Sequence, residues 1–227
     1  MKYLENIQQV AELKPDYLGF IFYEKSKRNF DGVIPELSTS IKKTGVFVNA
    51  TIEFVIDKVK QYDLQVVQLH GDETTTYINE LRCQFELRRK LIIGKENKQS
   101  LDLDRGDNLL EIIKVFGIKD EFNFDVLQPF ENVVDYFLFD TKGKERGGNG
   151  VVFDWKVLKN YNATKPFFLS GGIGLENKDD VLSFLNRQGS KYCHAIDVNS
   201  KFESKPGVKK IQELKKFKEK VITDKAR

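Results

Sequence analysis

The chain has 227 residues, of which 40% are hydrophobic, and a formal net charge of +3 at pH 7. This length and composition predict one globular domain over residues 1–227, and the balance of 37 basic against 34 acidic residues argues against nucleic acid as a partner. No apolar run approaches the roughly 20 residues that span a bilayer, and two cysteines outside any disulfide or zinc spacing are typical of the reducing cytoplasm. We therefore expect a cytoplasmic protein without a membrane partner.

Seven short apolar runs alternate with helical patterns along the chain. The first helical pattern spans Asn6 to Leu13, and two further patterns lie at Ile52–Tyr62 and Thr75–Arg82. The predicted strands are Tyr17–Tyr23, Thr44–Val48, Val66–His70, Glu111–Phe116, Tyr136–Asp140, Pro166–Ser170 and His194–Val198. Because these runs are almost continuously apolar, they are typical of strands that are buried on both faces of a parallel sheet. The alternation predicts an α/β fold.

The number of strands leaves two architectures open. Eight parallel strands close into a (β/α)8 barrel, the TIM barrel, whereas seven strands leave an open sheet with two unfavourable edges. The first predicted element is a helix, at the place where a barrel begins with a strand. Either an open seven-stranded sheet or a barrel lacking its first strand fits this pattern.

Two polar segments are interpreted as surface features. The run Asn97–Asn108 predicts an inserted surface loop between a helix around Leu81–Leu91 and the fourth strand. Near the C-terminus, lysines predict the solvated face of a last amphipathic helix, with the apolar residues Ile211, Leu214 and Phe217 on its buried face. The lysines in question are Lys209, Lys210, Lys215, Lys216, Lys218 and Lys220.

The clearest functional signal lies after the last two strands. The sixth strand leads directly into Gly171 and Gly172, and the seventh is followed by Asn199 and Ser200. A glycine pair lets backbone N–H groups approach a ligand without a Cβ in the way. In parallel barrels a phosphate site is frequent after the last two strands, assisted by a nearby helix N-terminus. These four residues predict a phosphate site.

Three further side chains are candidates because strands of a parallel barrel carry the active site at their C-terminal ends. Asp140 closes an apolar strand, where partial burial suits a carboxyl group to general acid catalysis, or it caps the next loop. Arg28 in a basic loop either grips an anion or is a solvated surface residue. His70 is either a donor or proton carrier, or a residue that fills the mouth of the barrel.

Seven sequence motifs occur along the chain in a fixed order, which is more informative than any one motif alone. They are Asp16–Arg28, Gly45–Asn49, Val67–Gly71, Phe139–Lys142, Gly147–Gly150, Leu169–Asn177 and Asp197–Glu203. Together they resemble the phosphoribosylanthranilate isomerases of tryptophan biosynthesis nearly end to end, apart from the polar insertion. The resemblance implies a (β/α)8 barrel and an Amadori rearrangement of N-(5-phosphoribosyl)anthranilate to 1-(2-carboxyphenylamino)-1-deoxyribulose 5-phosphate. It implies a small phosphorylated substrate, no cofactor, no metal, and a monomer or homodimer.

The implied chemistry assigns roles to the candidate residues. An acid must protonate the ring oxygen, and a base must take the proton from the adjacent sugar carbon. By resemblance, Asp140 is the acid, Arg28 contacts the anthranilate carboxylate and His70 lines the pocket. The residues that hold the phosphate are then Gly171, Gly172, Asn199 and Ser200.

This sequence differs from the family at the residue that acts as the general base. There it is a cysteine in a Lys-x-Cys-Gly motif at the end of the first strand, and Met1 aligns just after that motif. Neither cysteine of this chain is placed to replace it, since Cys83 is predicted on a helix and Cys193 ahead of a strand. We expect a chain largely without the first strand and therefore impaired. Either the native chain begins upstream or the protein is shortened.

Two other functions remain as alternatives at this point. Indole-glycerol-phosphate synthase chemistry wants a lysine and a glutamate at strand ends, and the sequence shows no such pair. A non-catalytic barrel that binds a phosphorylated ligand is the second alternative.

Overall fold

The computed structural model describes residues 1–93, 110–119, 121–141, 153–186 and 190–225. The predicted insertion Asn97–Asn108 and the loop Gly147–Gly150 lie outside these ranges. In chain order the elements are α1 (Leu4–Glu12), β1 (Tyr17–Ile21), β2 (Lys42–Phe47), α2 (Ile52–Tyr62), β3 (Val66–Leu69), α3 (Thr75–Ile93), β4 (Glu111–Ile118), β5 (Tyr136–Thr141), β6 (Phe167–Leu169), α4 (Lys178–Leu185), β7 (Cys193–Ile196), β8 (Glu203–Lys205), β9 (Val208–Lys209) and α5 (Ile211–Lys225). All seven predicted apolar runs form strands.

Strands β1 to β7 form one parallel sheet, in which the strands lie side by side in chain order. Each strand pairs with the next in an unbroken parallel register, except for an irregularity between β6 and β7 at Phe167/Phe168. Parallel neighbours require crossover connections, and α2, α3 and α4 supply three of them. The architecture is therefore α/β, as predicted.

Both faces of the sheet are covered by apolar side chains, which explains why the strands are apolar without alternation. One face carries a compact cluster of buried residues: Val66, Ile113, Val115, Leu138 and Phe168. The alternate residues of the same strands, such as Ile112, Phe137 and Phe167, belong to the larger core beneath the helices. Each strand therefore buries successive side chains in two different layers.

The sheet is curled. The Tyr17 ring of β1 packs edge-on against the Phe168 ring of β6, with 5.0 Å between ring centroids. The Tyr17 hydroxyl also lies 2.9 Å from Nε2 of His194 in β7. A flat sheet of seven strands would hold its first and last strands far apart, so these contacts require strong curvature. Among the described residues, β1 and β7 do not pair with each other.

Helix α2 begins and ends as local signals predict. Thr51 caps α2 by accepting a hydrogen bond from Phe54 N at 3.3 Å, and Asp63 ends it in a left-handed conformation with φ 49°. Helix α3 joins the two predicted helical stretches, Thr75–Arg82 and the one around Leu81–Leu91, and ends at Ile93. In the described part of the chain, no helix is both long and apolar enough to cross a membrane.

The C-terminal region requires one correction. Lys209 was expected on the solvated face of the last helix, but it lies in β9 and is buried at 9% exposure. The antiparallel pair β8–β9, which the sequence pattern did not predict, turns at Gly207 with φ +84°. Helix α5 begins only at Ile211 and buries Phe217 against Phe202. Lys209 is buried because it lies in a strand of the hairpin, where successive side chains point to opposite faces, and not on a helix.

Candidate active site

The carboxyl ends of β3 and β5 bring two of the predicted residues together. Asp140, the penultimate residue of β5, is buried and accepts a hydrogen bond from Thr141 N at 2.8 Å. His70 follows β3, and its Nε2 lies 3.5 Å from Asp140 Oδ2. Nδ1 of the same ring lies 3.2 Å from the Gln68 amide nitrogen, so the Nε2 edge of the ring faces the carboxylate.

A second carboxylate lies close to this pair. Asp197 follows β7, and its Oδ2 accepts a hydrogen bond from Ser170 Oγ at 2.8 Å. Burial raises the pKa of Asp197 above its ordinary value; the Ser170 hydrogen bond opposes this, and the charge of Asp140 adds to it. The end of the sheet therefore holds two carboxyl groups in different surroundings, an arrangement that suits proton transfer.

The glycine pair adopts the backbone conformation for which glycine is suited. Gly171 has φ +93° and Gly172 has φ +64°. A Cβ on Gly171 would come within 2.5 Å of Thr141 N and would also collide with Thr141 Oγ1. The loop after β6 thus lies directly against the end of β5, beside Asp140.

The loops after β6 and β7 face each other. Asn199 and Ser200 lie after β7, where Ser200 begins a short 3₁₀ turn that ends at Phe202. Within this turn, Lys201 forms an ion pair with Glu176 in the loop after β6, and 2.8 Å separates Lys201 Nζ from Glu176 Oε1. The hydrogen bond from Lys201 is the main cause that lowers the pKa of Glu176. The four residues of the predicted phosphate site therefore lie in two adjacent, cross-linked loops.

Arg28 is tied to a buried carboxylate. Its Nε and Nη2 lie 2.8 and 2.7 Å from Oε2 of Glu203. The other oxygen of Glu203 accepts from Lys209 Nζ at 3.1 Å, and Lys209 Nζ donates to Asn199 Oδ1 at 2.5 Å. The predicted residues Arg28 and Asn199 are thus linked through two side chains that the sequence-based interpretation did not place in the site.

Comparison with known proteins identifies the family. A family model described as N-(5'phosphoribosyl)anthranilate (PRA) isomerase matches residues 1–109 and 94–220. The chain belongs to this family. A PRA isomerase of Parabacteroides distasonis is 37% identical over 228 aligned residues, which cover 98% of this chain and 90% of the relative.

Solved PRA isomerase structures share the fold. The enzyme of Thermotoga maritima superposes with a TM-score of 0.73 at 28% identity, covering 98% of this chain and 96% of the other. A second PRA isomerase structure, in complex with reduced 1-(o-carboxyphenylamino)-1-deoxyribulose 5-phosphate, superposes with a TM-score of 0.70 at 26% identity. It covers 97% of this chain and 94% of the other. The PRA isomerase fold thus extends over nearly the whole chain.

Three charged residues of this PRA isomerase chain were missed as site residues: Asp197, Glu203 and Lys209. Asp197 carries the signal that selected Asp140, an acidic residue closing a strand, and could have been found by it. Glu203 and Lys209 carry no local signal, since their partner Arg28 lies 175 residues from Glu203 along the chain. Both cysteines lie away from the site: Cys83 is exposed on α3, and Cys193 is the first residue of β7, at the opposite end of the sheet.

Proposed function

We propose that the chain catalyses the Amadori rearrangement of N-(5-phosphoribosyl)anthranilate in tryptophan biosynthesis, as a cytoplasmic, single-domain enzyme that is a monomer or homodimer. The observation that carries the proposal is the position of Asp140. It lies at the carboxyl end of β5, buried, with His70 on one side and the backbone of Gly171 on the other. In parallel α/β sheets, this edge is where catalytic residues gather.

Each candidate residue has a role in this reaction. Asp140 donates a proton to the ring oxygen as the sugar opens, and His70 lines the pocket beside it. The Arg28 guanidinium meets the anthranilate carboxylate with N–H donors that Glu203 does not use. Backbone N–H groups of the two loops hold the phosphate. These loops carry Gly171, Gly172, Asn199 and Ser200.

We further infer that the seven strands correspond to strands two to eight of a (β/α)8 barrel. The contact between Tyr17 and His194 supports this, because it brings the two free edges close together. The helix layer supports it as well, since Asn6 of α1 exchanges hydrogen bonds with the backbone of Lys209, and Lys218 of α5 donates to the carbonyl of Lys14 at 2.9 Å. The first strand of the family, with its base cysteine, belongs between β7 and β1.

The test is an isomerase assay that follows the loss of phosphoribosylanthranilate fluorescence. The chain as given is compared with the same chain extended by a Lys-x-Cys-Gly strand, and the extended chain with serine in place of that cysteine is the matched control. We expect turnover in the extended chain only, because that chain restores the cysteine that the resemblance makes the base for the proton on the sugar carbon.

Other outcomes have defined meanings. Turnover in all three proteins would mean that the base is not that cysteine. If the folded extended chain binds the reduced product analogue in calorimetry but shows no turnover, the proposed activity is wrong, and a non-catalytic phosphate-binding protein replaces it.

A further inference from the structure

Three charged side chains form a buried cluster between the predicted ends of the substrate pocket. The side chains of Arg28, Glu203 and Lys209 are 20%, 4% and 8% exposed. Their formal charges sum to +1, so the cluster retains a positive excess when Glu203 is ionised. Burying a charge is costly unless it is paired and hydrogen-bonded, so a cluster of this kind is weak evidence of stabilisation.

The carboxylate of Glu203 uses its two oxygens for different cations. Oε2 accepts from Arg28 Nε and contacts Nη2, while Oε1 accepts from Lys209 Nζ and from Gly207 N at 3.1 Å each. Burial alone raises the pKa of Glu203, but the hydrogen bond from Arg28 and the charge of Lys209 outweigh burial and hold that pKa below its ordinary value. The group is therefore a carboxylate at neutral pH.

On its first side, Glu203 orients Arg28. A guanidinium has five N–H donors in a planar fork, and in the described part of the chain the hydrogen bond and ion pair of the Arg28 side chain are both with Glu203, through Nε and Nη2. This leaves Nη1 and the second N–H of Nη2 in a set orientation, and one N–H from each nitrogen suits two parallel hydrogen bonds with a ligand carboxylate. Without Glu203, the side chain of Arg28 would have to be ordered by the ligand itself, at an entropic cost.

On its second side, Glu203 orients the loop after β7 through Lys209. Lys209 Nζ donates to both the carbonyl and the side-chain oxygen of Asn199, at 3.0 and 2.5 Å. Its backbone is itself held by Asn6, whose Oδ1 accepts from Lys209 N at 2.7 Å. The position of Asn199, in the predicted phosphate site, therefore depends on the same carboxylate that holds Arg28.

We propose that Glu203 is a positioning residue that couples recognition of the carboxylate end of the substrate to recognition of its phosphate end. The inference rests on the proposed function, because it takes the ligand to be a sugar phosphate that also carries an aromatic carboxylate. Glu203 touches neither end itself; it fixes Arg28 for one and, through Lys209, Asn199 for the other. A ligand with both anionic groups then binds a site that is already ordered at both ends.

The first experiment measures binding by calorimetry to the chain and its Glu203→Gln variant. Three probes are used: the reduced product analogue, the same analogue without its carboxylate, and inorganic phosphate. We expect the variant to bind the full analogue roughly 10- to 100-fold more weakly, since it loses charge-assisted hydrogen bonds at both ends. The loss for the analogue without a carboxylate should be smaller, and the loss for phosphate smaller still.

A kinetic measurement separates positioning from general damage. In whichever form of the chain turns over, Glu203→Gln should raise KM by a similar factor while kcat falls less than about threefold, because Asp140 and His70 are untouched. Lys210→Met is the matched control. Lys210 neighbours Lys209 but forms a more exposed pair with Glu213, and its replacement should change neither binding nor KM.

A second variant covers the case in which Glu203→Gln does not fold. Glu203→Leu combined with Lys209→Met removes one charge of each sign, keeps the net charge, and leaves no unpaired partner within that pair. It should show the same selective loss of affinity for the carboxylate-bearing analogue. Equal affinities of the folded variants and the parent chain for the full analogue would overturn the inference while the proposed function stands. If the parent chain binds no analogue, the proposed function and this inference fail together.

Discussion

Asp140 and Asp197 show what one residue type does in two surroundings. Both lie at the ends of apolar strands on the same edge of the sheet, where Asp140 is buried and Asp197 is partly buried. Asp140 faces His70 across 3.5 Å, whereas Asp197 faces the Ser170 hydroxyl and has a raised pKa because of its burial. The sequence pattern selected Asp140 and passed over Asp197, because spacing along a strand does not report which charges lie opposite.

At the residue scale, the proposed acid can be tested directly. Asp140→Asn keeps an oxygen that accepts from Thr141 N but removes the proton donor, so the fold should survive while catalysis fails. We expect kcat in the strand-extended chain to fall by roughly 10²–10⁴-fold. Asp57→Asn, on the exposed face of α2, is the control and should leave kcat unchanged. A loss below about tenfold for Asp140→Asn would indicate a structural role instead.

At the scale of elements, a lysine inside the apolar strand β4 has a clear structural explanation. Lys114 is buried, with its side chain 4% exposed, and its Nζ donates to Gly71 O at 2.7 Å and to Glu73 Oε2 at 3.1 Å. The other oxygen of Glu73 accepts from Asn49 N at 2.7 Å. One buried ion pair thus joins the middle of β4 to the segments that follow β2 and β3, and holds the loop that follows His70.

This pair should contribute far more to stability than a pair at the surface. Lys114→Met leaves the Glu73 carboxylate buried without its cation, and we expect it to lower the free energy of unfolding by about 3–5 kcal/mol. Lys43→Met breaks the pair with Asp63, whose side chain is 84% exposed, and should cost less than about 1 kcal/mol. Urea unfolding of the three proteins measures both differences. Equal costs for the two variants would contradict the assigned role of Lys114.

At the scale of the whole molecule, the strands of the curled sheet differ in how many neighbouring strands they pair with. Strands β2 to β6 pair with neighbours on both sides, whereas β1 and β7 each pair within the sheet on one side only, among the described residues. A free parallel edge exposes backbone N–H and C=O groups to solvent. Local opening should therefore begin at β1 and β7 rather than in the centre of the sheet.

Native-state hydrogen exchange tests this expectation. Amides of β4 and β5 should exchange at least about tenfold more slowly than amides of β7, because the central strands open only with the whole sheet. In the strand-extended chain, the protection of β1 and β7 should rise toward that of β4, with β4 itself as the internal reference. Equal protection of β7 and β4 in the chain as given would show that the sheet has no open edge.

The sequence by itself determined the seven strands, the helices before β1 and after each of β2 and β3, and the presence of Asp140 and the glycine pair at strand ends. These features follow from local patterns, since runs such as Tyr136–Asp140 and the step from Ser170 to Gly171 are readable over a few residues.

Only the tertiary structure decided which charges meet. Lys209 carried the signal of a solvated helix face, yet the hairpin β8–β9 buries it beside Glu203 and Asn199. Arg28 and Glu203 are separated by 175 residues and meet at 2.7–2.8 Å. Local sequence sets backbone preferences, but electrostatic contacts depend on distance in space, so the buried cluster becomes visible only once the sheet has curled and its end loops have come together.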